Sequence, residues 1–389
     1  MPTRIGLLFE FPTLNGGERS MLSLLDHWRS SAELEFVAFA PSAGRLAEDL
    51  QRRQVTLVPF HRQAQPPQTA PESAAELLRL CDQYRLDVLH ANSLSMARLA
   101  GRMRTRIRTL AGSPATQRLC VTGHLRDMIR LSRTAVDELN ENDFTVAVSQ
   151  AVRDFHTQQG LCGARCRVIY NGISDARYAP QDRVEARRTA LPGMAPAATV
   201  ILNVGQISLR KSQADAAAAM IALQRSDPQR DLHLVVAGER YSMKPESIAC
   251  EQALHQMFAD AGMPQRLHLL GYRDDVPRLM NAASLLVHSA RQEPFGRVLL
   301  EAAACGLPII ATNVGGTREM LRNGTDALLV PPASADAIEA AISSFLDDQE
   351  GPSRYAQSAR ARVAEQFTVA AAAGQLAHLW LECTTDRQH

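Results

Sequence analysis

Lysine is almost missing from this sequence. Of 42 basic residues only Lys211 and Lys244 are lysines; all the others are arginine. A lysine offers a compact point charge that the flat guanidinium fork does not replace, so both positions merit inspection before any arginine. Long apolar runs are missing too: none approaches the roughly 18 residues that a membrane-spanning helix needs. No excess of one charge is present. The net charge is +1, which argues against nucleic acid as a partner and leaves any charged ligand to a local patch. The opening "MPTRIGLLFEFP" is interrupted by Glu10 and followed by no small-residue cleavage site, so it reads as a first β-strand and not a signal peptide. The seven cysteines are odd in number and scattered. That pattern predicts reduced thiols in a cytoplasmic protein. Cys162 and Cys166 in "CGARC" lack the further ligands that zinc needs and read as small buried or loop residues.

With 389 residues the chain exceeds one ordinary core, and two domains of under 200 residues each are expected. Short β-rich runs alternate with helical stretches along the whole length. Strands are predicted over 5–9, 34–39, 55–59, 88–91, 119–122, 144–148 and 168–170. A second series is predicted over 200–204, 232–237, 267–270, 285–288, 309–311 and 328–330. Between them apolar residues recur at helical spacing, as in Met96, Leu99, Ala100, Met103, Ile107 and Leu110. This alternation implies α/β architecture with parallel sheets covered on both faces. It breaks between Asn171 and about Ala198, where turn signals and three prolines crowd without a strand. The boundary between two doubly wound domains, facing a central cleft, is expected there.

Ligands of such sheets bind beyond the carboxyl ends of strands, where helix N-termini point. Three stretches suit an anion there. In "PTLNGGERSMLSLL", Gly16 and Gly17 follow the first strand and let backbone approach a ligand, with a helix running from about Ser20; a plain tight turn would read the same. In "ILNVGQISLRKSQ" a strand ends at Gly205, and Arg210 and Lys211 place two adjacent cations before a helix; the alternative is a solvated basic turn. In "EPFGRVLLEAAACG", Pro294 and Gly296 mark a loop, and a helix starts near Arg297 and stops at Gly306 and Pro308. The amides of Arg297, Val298 and Leu299 would then be open to an anion. Glu301 would lie one turn inside, and Glu293 just outside. Carboxylates on either side of an anion site accept from hydroxyl groups. A ligand with hydroxyls, then phosphates, then hydroxyls is a sugar nucleotide.

"EPFGRVLLEAAACGLPIIATNVGGTREML" resembles the donor-binding signature of retaining glycosyltransferases of the GT-B fold, family 4 or group 1, with its glutamates separated by seven residues. "VGQISLRKSQ", "NGGER", "VIYNGI", "LDVLHANS" and "VTGHLRDM" are similar to further family segments in the family's order. The resemblance implies an N-terminal acceptor-side Rossmann-like domain over 1–180 and a donor-binding one over 198–365. It also implies a final helix over about 366–389 that packs back on the first. It implies that Glu301 accepts from the ribose and Glu293 from the transferred sugar, near the Phe295 and Gly296 amides. Lys211 and Arg210 would stabilise the diphosphate, the Gly16–Gly17 loop would close on it, and His124 would face sugar or acceptor. Gln206 stands where the family commonly has arginine. Thr317 and Glu319, in a loop similar to one of the family, are read as structural.

The implied reaction moves a sugar from a nucleoside diphosphate to an acceptor hydroxyl with retention, the leaving phosphate taking the acceptor proton. No Asp-x-Asp motif stands at a strand end, so no divalent metal and no cofactor beyond the nucleotide sugar are expected. Rival readings are a sugar-nucleotide epimerase, a phosphorylase (for which the setting of Lys244 does not suit a pyridoxal lysine), and a non-catalytic sugar-nucleotide binder. Nine arginines, Arg98, Arg102, Arg104, Arg106, Arg108, Arg118, Arg126, Arg130 and Arg133, stand against one acid, Asp127. Such a basic region suits peripheral contact with anionic lipid at the inner membrane face, where lipid-linked acceptors lie; a solvated helix face is the alternative.

Overall fold

In the computed structural model, residues 2–61, 70–109, 117–240, 244–348 and 350–385 are described. The chain divides into two compact units. Unit 1 comprises Met1–Gly172 and Val369–His389, and unit 2 comprises Ile173–Thr368. The segment from Asn171 to Ala198 is mostly part of unit 2 and carries a helix of its own, Arg183–Ala190.

Unit 1 alternates β1 (Thr3–Leu8), α1 (Gly16–Trp28), β2 (Leu34–Ala40), α2 (Arg45–Arg52), β3 (Thr56–Pro59), α3 (Ala70–Gln83), β4 (Val88–Ala91), α4 (Leu94–Thr109), β5 (Cys120–Leu125), α5 (Arg133–Asn140), β6 (Phe144–Ala147), α6 (Gln150–Thr157) and β7 (Cys166–Val168). The sheet order is β3-β2-β1-β4-β5-β6-β7, and every pairing is parallel. β4 and β5 are buried along their whole length, as strands covered on both faces must be. The α4 stripe of Met96, Leu99, Ala100, Met103 and Ile107 is buried; Leu110 lies outside the described residues.

Unit 2 repeats the plan with α7 (Arg183–Ala190), β8 (Thr199–Val204), α8 (Gln213–Ser226), β9 (Leu232–Ala237), α9 (Pro245–Asp260), β10 (Leu267–Leu269), α10 (Val276–Ala282), β11 (Leu285–His288), α11 (Arg297–Ala304), β12 (Ile309–Thr312), α12 (Thr317–Met320), β13 (Leu328–Val330), α13 (Ala335–Asp347) and α14 (Gly351–Gln366). Its order is β10-β9-β8-β11-β12-β13, again all parallel. Each unit is thus a doubly wound α/β sheet. In each, the strand order reverses once, between β1 and β4 and between β8 and β11. That reversal opens a crevice at the carboxyl ends of the two central strands.

The chain closes with α15 (Val369–Thr385), which belongs to unit 1. Its buried stripe of Ala372, Ala373, Leu376, Leu379 and Trp380 joins the core of β1, β2 and α1. The Trp380 ring lies 5.2 Å from that of Trp28, which stacks on Phe36 at 5.3 Å. A disulfide between Cys120 of β5 and Cys383 fastens the helix, with their Cα atoms 6.0 Å apart. The expectation of seven reduced thiols is therefore corrected. The five others are free, so an odd count and wide spacing hid a pair that only the fold brings together.

Candidate functional site

In unit 2 the crevice is bordered by the loop after β8 and the loop after β11. β8 leads into Gly205, whose φ of +147° is open to glycine and little else. A Cβ built there would lie 3.4 Å from Lys211 Cε, an ordinary van der Waals contact, so the backbone conformation and not the space beside the lysine calls for glycine. The Ser289 hydroxyl holds the Lys211 loop with one proton shared between two carbonyls, Ser212 at 2.8 Å and Lys211 at 3.1 Å. The Arg291 N–H donates to the Arg210 carbonyl at 2.8 Å. Lys211 Nζ then meets Glu293 Oε2 at 2.6 Å, with both side chains largely buried. Arg210 is exposed, and its Nη1 donates to the Gln292 carbonyl at 3.3 Å.

His288, at the last position of β11, also bonds Glu293 Oε2, at 2.9 Å from its Nε2. Burial pushes the His288 pKa down, and the Lys211 ammonium pushes the same way; the ring is neutral and donates. Burial opposes ionisation of Glu293. Lys211 and the His288 hydrogen bond outweigh it and hold the carboxyl well below the usual carboxylate range. Glu293 is therefore a buried anion with an ammonium on one side and an imidazole N–H on the other.

Beyond Glu293 the chain turns through Gly296, at φ +99°, which serves as N-cap of α11. Helix α11 starts at Arg297, as the sequence predicts, and ends at Ala304, followed by Gly306 at φ +70° ahead of Pro308. Phe295 is buried, 6.0 Å from the Phe367 ring. One expectation needs correction: the Leu299 N–H is not open, because it donates to the Gly296 carbonyl at 2.8 Å. Glu301 lies one turn in, buried, and Arg297 Nε bonds it at 2.8 Å. Val298 shares that first turn. Arg297 Nη1 is buried with no hydrogen-bond partner among the described residues, and so is the Thr317 hydroxyl. The Gly316 N–H donates to the Glu293 carbonyl at 3.0 Å, tying that loop to the glutamate.

Unit 1 gathers a second constellation at its own switch point. Gly16 and Gly17 do not form a loop before the helix, as the sequence suggests. They are its first turn, since α1 starts at Gly16, and Glu18 Oε2 accepts from the Asn15 N–H at 3.1 Å. A Cβ on Gly16 would meet nothing within 4 Å, whereas one on Gly17 would lie 2.8 Å from Arg126 Cδ. Burial pushes the Glu18 carboxyl up. Arg126 is the organiser here. Its Nε donates to the Asn92 carbonyl at 3.1 Å and its Nη1 to Asn171 Oδ1 at 3.0 Å. Its Nη2 reaches Asn92 Oδ1 at 2.9 Å and His124 Nδ1 at 3.1 Å. His124, in β5, is buried, and burial together with Arg126 pushes its pKa well down.

The sequence reading brought Lys211, Glu293, Glu301 and His124 forward and missed His288, Asn92 and His90. The "HSARQ" run does carry His288, but nothing local shows that it bonds a glutamate five residues on. Arg126 was read as one of a basic stripe. Part of that stripe is paired inside unit 1: Arg98 and Arg102 bond Glu138 at 2.7 and 3.4 Å, Arg104 approaches Asp143 at 3.6 Å, and Arg133 bonds Asp137 at 3.1 Å. The Arg108 side chain lies outside the described residues. No helix among the described residues is long and apolar enough to cross a membrane.

Two doubly wound parallel units, each with its polar groups at the switch point, define the GT-B class of transferase folds. Within that class the chain belongs to the group 1, family 4 glycosyltransferases. Residues 193–362 match the family model described as Glycosyl transferases group 1, and residues 14–177 match Glycosyltransferase Family 4. The glycogen synthase of Mycobacterium tuberculosis is 32% identical over 246 residues, 61% of this chain and 54% of that protein. A lipopolysaccharide core biosynthesis mannosyltransferase of Rhizobium meliloti is 29% identical over 205 residues, 52% of this chain and 56% of that one. The chain spans about half the length of the curated relatives it matches. Among solved structures, HepE of Anabaena in complex with UDP and glucose superposes with a TM-score of 0.82 at 23% identity, covering 97% of this chain and 99% of that one.

Proposed function

We propose that this protein transfers a sugar from a nucleoside-diphosphate sugar to a hydroxyl of a glycan or lipid-linked saccharide, with retention of anomeric configuration and without a divalent metal. The observation that carries this reading is the Lys211–Glu293 pair at the unit 2 switch point, beside the N-terminus of α11. An ammonium has three protons. Glu293 takes one, which leaves two for phosphate oxygens. As the bond from the anomeric carbon to the diphosphate breaks, charge develops on the leaving group; a fixed cation and a helix N-terminus offset it. Arg210 adds charge from the next residue, and Gly205 supplies the backbone conformation with which β8 turns into the Lys211 loop.

In this reading Glu301 accepts from the ribose hydroxyls and Arg297 orients it. Glu293 accepts from the transferred sugar, with the backbone of Phe295, Gly296, Arg297 and Val298 around the phosphates. Gly16 and Gly17 offer the first turn of α1 to an anion, and His124 addresses sugar or acceptor. The leaving phosphate takes the acceptor proton. The UDP and UDP-glucose held by HepE of Anabaena support a nucleotide-sugar donor. The proposed location is the cytoplasm, where such donors are formed; both sulfurs of the disulfide belong to buried residues, away from soluble reductants.

The test is incubation of the full chain with a panel of nucleotide sugars and saccharide acceptors in the presence of EDTA. The expected result is release of nucleoside diphosphate and a product whose anomeric proton coupling matches that of the donor. Tight binding without turnover would turn the reading toward a sugar-nucleotide binder. Inversion would overturn retention, and loss of activity in EDTA would overturn metal independence.

A further inference from the structure

Resting on the glycosyltransferase reading, we infer that Trp380 of α15 and His90 of β4 are positioning residues for His124. Through a chain of hydrogen bonds they fix its ring so that Nε2 carries the proton and points a neutral N–H donor at a substrate oxygen.

The indole end of the relay sets its direction. An indole N–H can only donate. Trp380 Nε1 lies 3.4 Å from His90 Nδ1, so that nitrogen accepts. The Thr122 hydroxyl, 2.9 Å from the same nitrogen, also lies 3.4 Å from the Leu89 carbonyl and has one proton to give, so the indole is the group that fixes this nitrogen as an acceptor. The single proton of a neutral His90 ring is therefore on Nε2. His90 Nε2 lies 3.3 Å from His124 Nδ1, which accepts in turn. A guanidinium also can only donate, and Arg126 Nη2 reaches the same His124 Nδ1 at 3.1 Å. Two donors on Nδ1 leave the His124 proton on Nε2. Both rings are neutral: burial and the nearby Arg126 charge push His90 down to about 3 and His124 well below its ordinary range.

His124 Nε2 is buried and has no hydrogen-bond partner among the described residues. A buried donor left unpaired is costly, so this one calls for a partner from outside the chain. Asn92 repeats the arrangement. Its Oδ1 accepts from the same Arg126 Nη2, and its Nδ2 is also buried without a partner among the described residues. One guanidinium thus arranges two side chains, each with an idle donor. The matching ligand presents oxygen acceptors, as a sugar or a phosphate does. The far end of the relay is held firmly. Cys383, three residues after Trp380, is bonded to Cys120 on the strand that carries His124.

The test uses the full chain with 15N-labelled histidine. Long-range proton–nitrogen spectra are expected to show protonated Nε2 and bare Nδ1 for His90 and for His124; protonated Nδ1 on either ring would overturn the inference, whatever the enzyme assay shows. Trp380→Phe keeps the ring bulk and removes the N–H. It is expected to admit Nδ1-protonated His90 and to lower kcat roughly tenfold, the worth of about one hydrogen bond, with donor KM little changed. His90→Leu is expected to lose at least as much. His90→Gln, whose amide still donates toward His124, is expected to recover most of that loss. If Leu and Gln at position 90 lower activity equally, or if activity merely follows the melting temperature across the three variants, the relay is overturned. Absence of transfer from every nucleotide sugar by the unaltered protein would instead overturn the reading on which it rests.

Discussion

Lys211 is both a candidate catalytic cation and the counter-ion of a buried carboxylate, and these roles part under substitution. Lys211→Ala removes the ammonium and leaves Glu293, only 6% exposed, with His288 as its remaining partner. Breaking a buried pair from one side costs about 3 kcal/mol or more. The variant is therefore expected to unfold in unit 2 at lower denaturant, by roughly that amount, and to lose turnover by orders of magnitude. Glu293→Gln keeps a hydrogen-bonding group in place and spares the lysine. Its expected mark is weaker donor binding, read as raised donor KM, with a smaller loss in kcat. Urea titration beside steady-state kinetics separates the two. Near-normal turnover of Lys211→Ala would refute the phosphate role. These residues were legible because rarity and spacing single them out: two lysines in the chain, and two glutamates around a Pro-Phe-Gly turn. His90, Arg126 and Asn92 were not. Their contacts join β4 to β5 across 34 residues, and only strand order makes them neighbours.

Among the elements, α11 depends on one backbone conformation. Gly296 has φ +99°, and a Cβ there would come within 3.0 Å of Leu299 Cδ1, 3.1 Å of Met320 Cε and 3.2 Å of Glu293 Cγ. Gly296→Ala is expected to cost about 1–3 kcal/mol through backbone strain and crowding. It should also shift Glu293, weakening donor binding measured by calorimetry with UDP; an unchanged melting temperature and unchanged UDP affinity would refute this. The thirteen strands among the described residues were legible as apolar runs between helical spacings, though β7 shares only Val168 with its predicted range, β1 starts two residues early and β5 runs three residues longer. The start of α1 was misplaced. Paired glycines signal a turn, yet here they open the helix, where glycine is tolerated and where the Glu18–Asn15 bond closes the first turn. The disulfide was beyond sequence reading because its cysteines lie 263 residues apart.

At the scale of the whole molecule, buried neutral histidines contribute to the loss of stability in acid. His90, His124 and His288 have pKa values below the ordinary 6.5 in the folded state. Below pH 6.5 the unfolded chain takes up protons that the folded chain excludes, so stability falls as pH drops from 6.5 toward the folded values, about 3 for His90. Each histidine contributes a slope of about 1.4 kcal/mol per pH unit. Both tryptophans, Trp28 and Trp380, belong to unit 1, so tryptophan emission during urea unfolding reports that unit alone, with His90, His124 and the buried His156, whose pKa burial also lowers. The groups facing His90 and His124 are Arg126, Thr122 and Trp380. His90→Gln is expected to reduce the acid slope of unit 1 by about one proton. An equal slope in both proteins would show that His90 titrates normally.

The Cys120–Cys383 bond also makes the polypeptide a lasso. Every residue of unit 2 lies on the closed arc between the two sulfurs, while β1 through α4 and the last few residues form the tails. A protease that nicks the arc once therefore opens a ring without releasing a piece, and the nicked molecule still migrates as one covalent species until its sulfurs are parted.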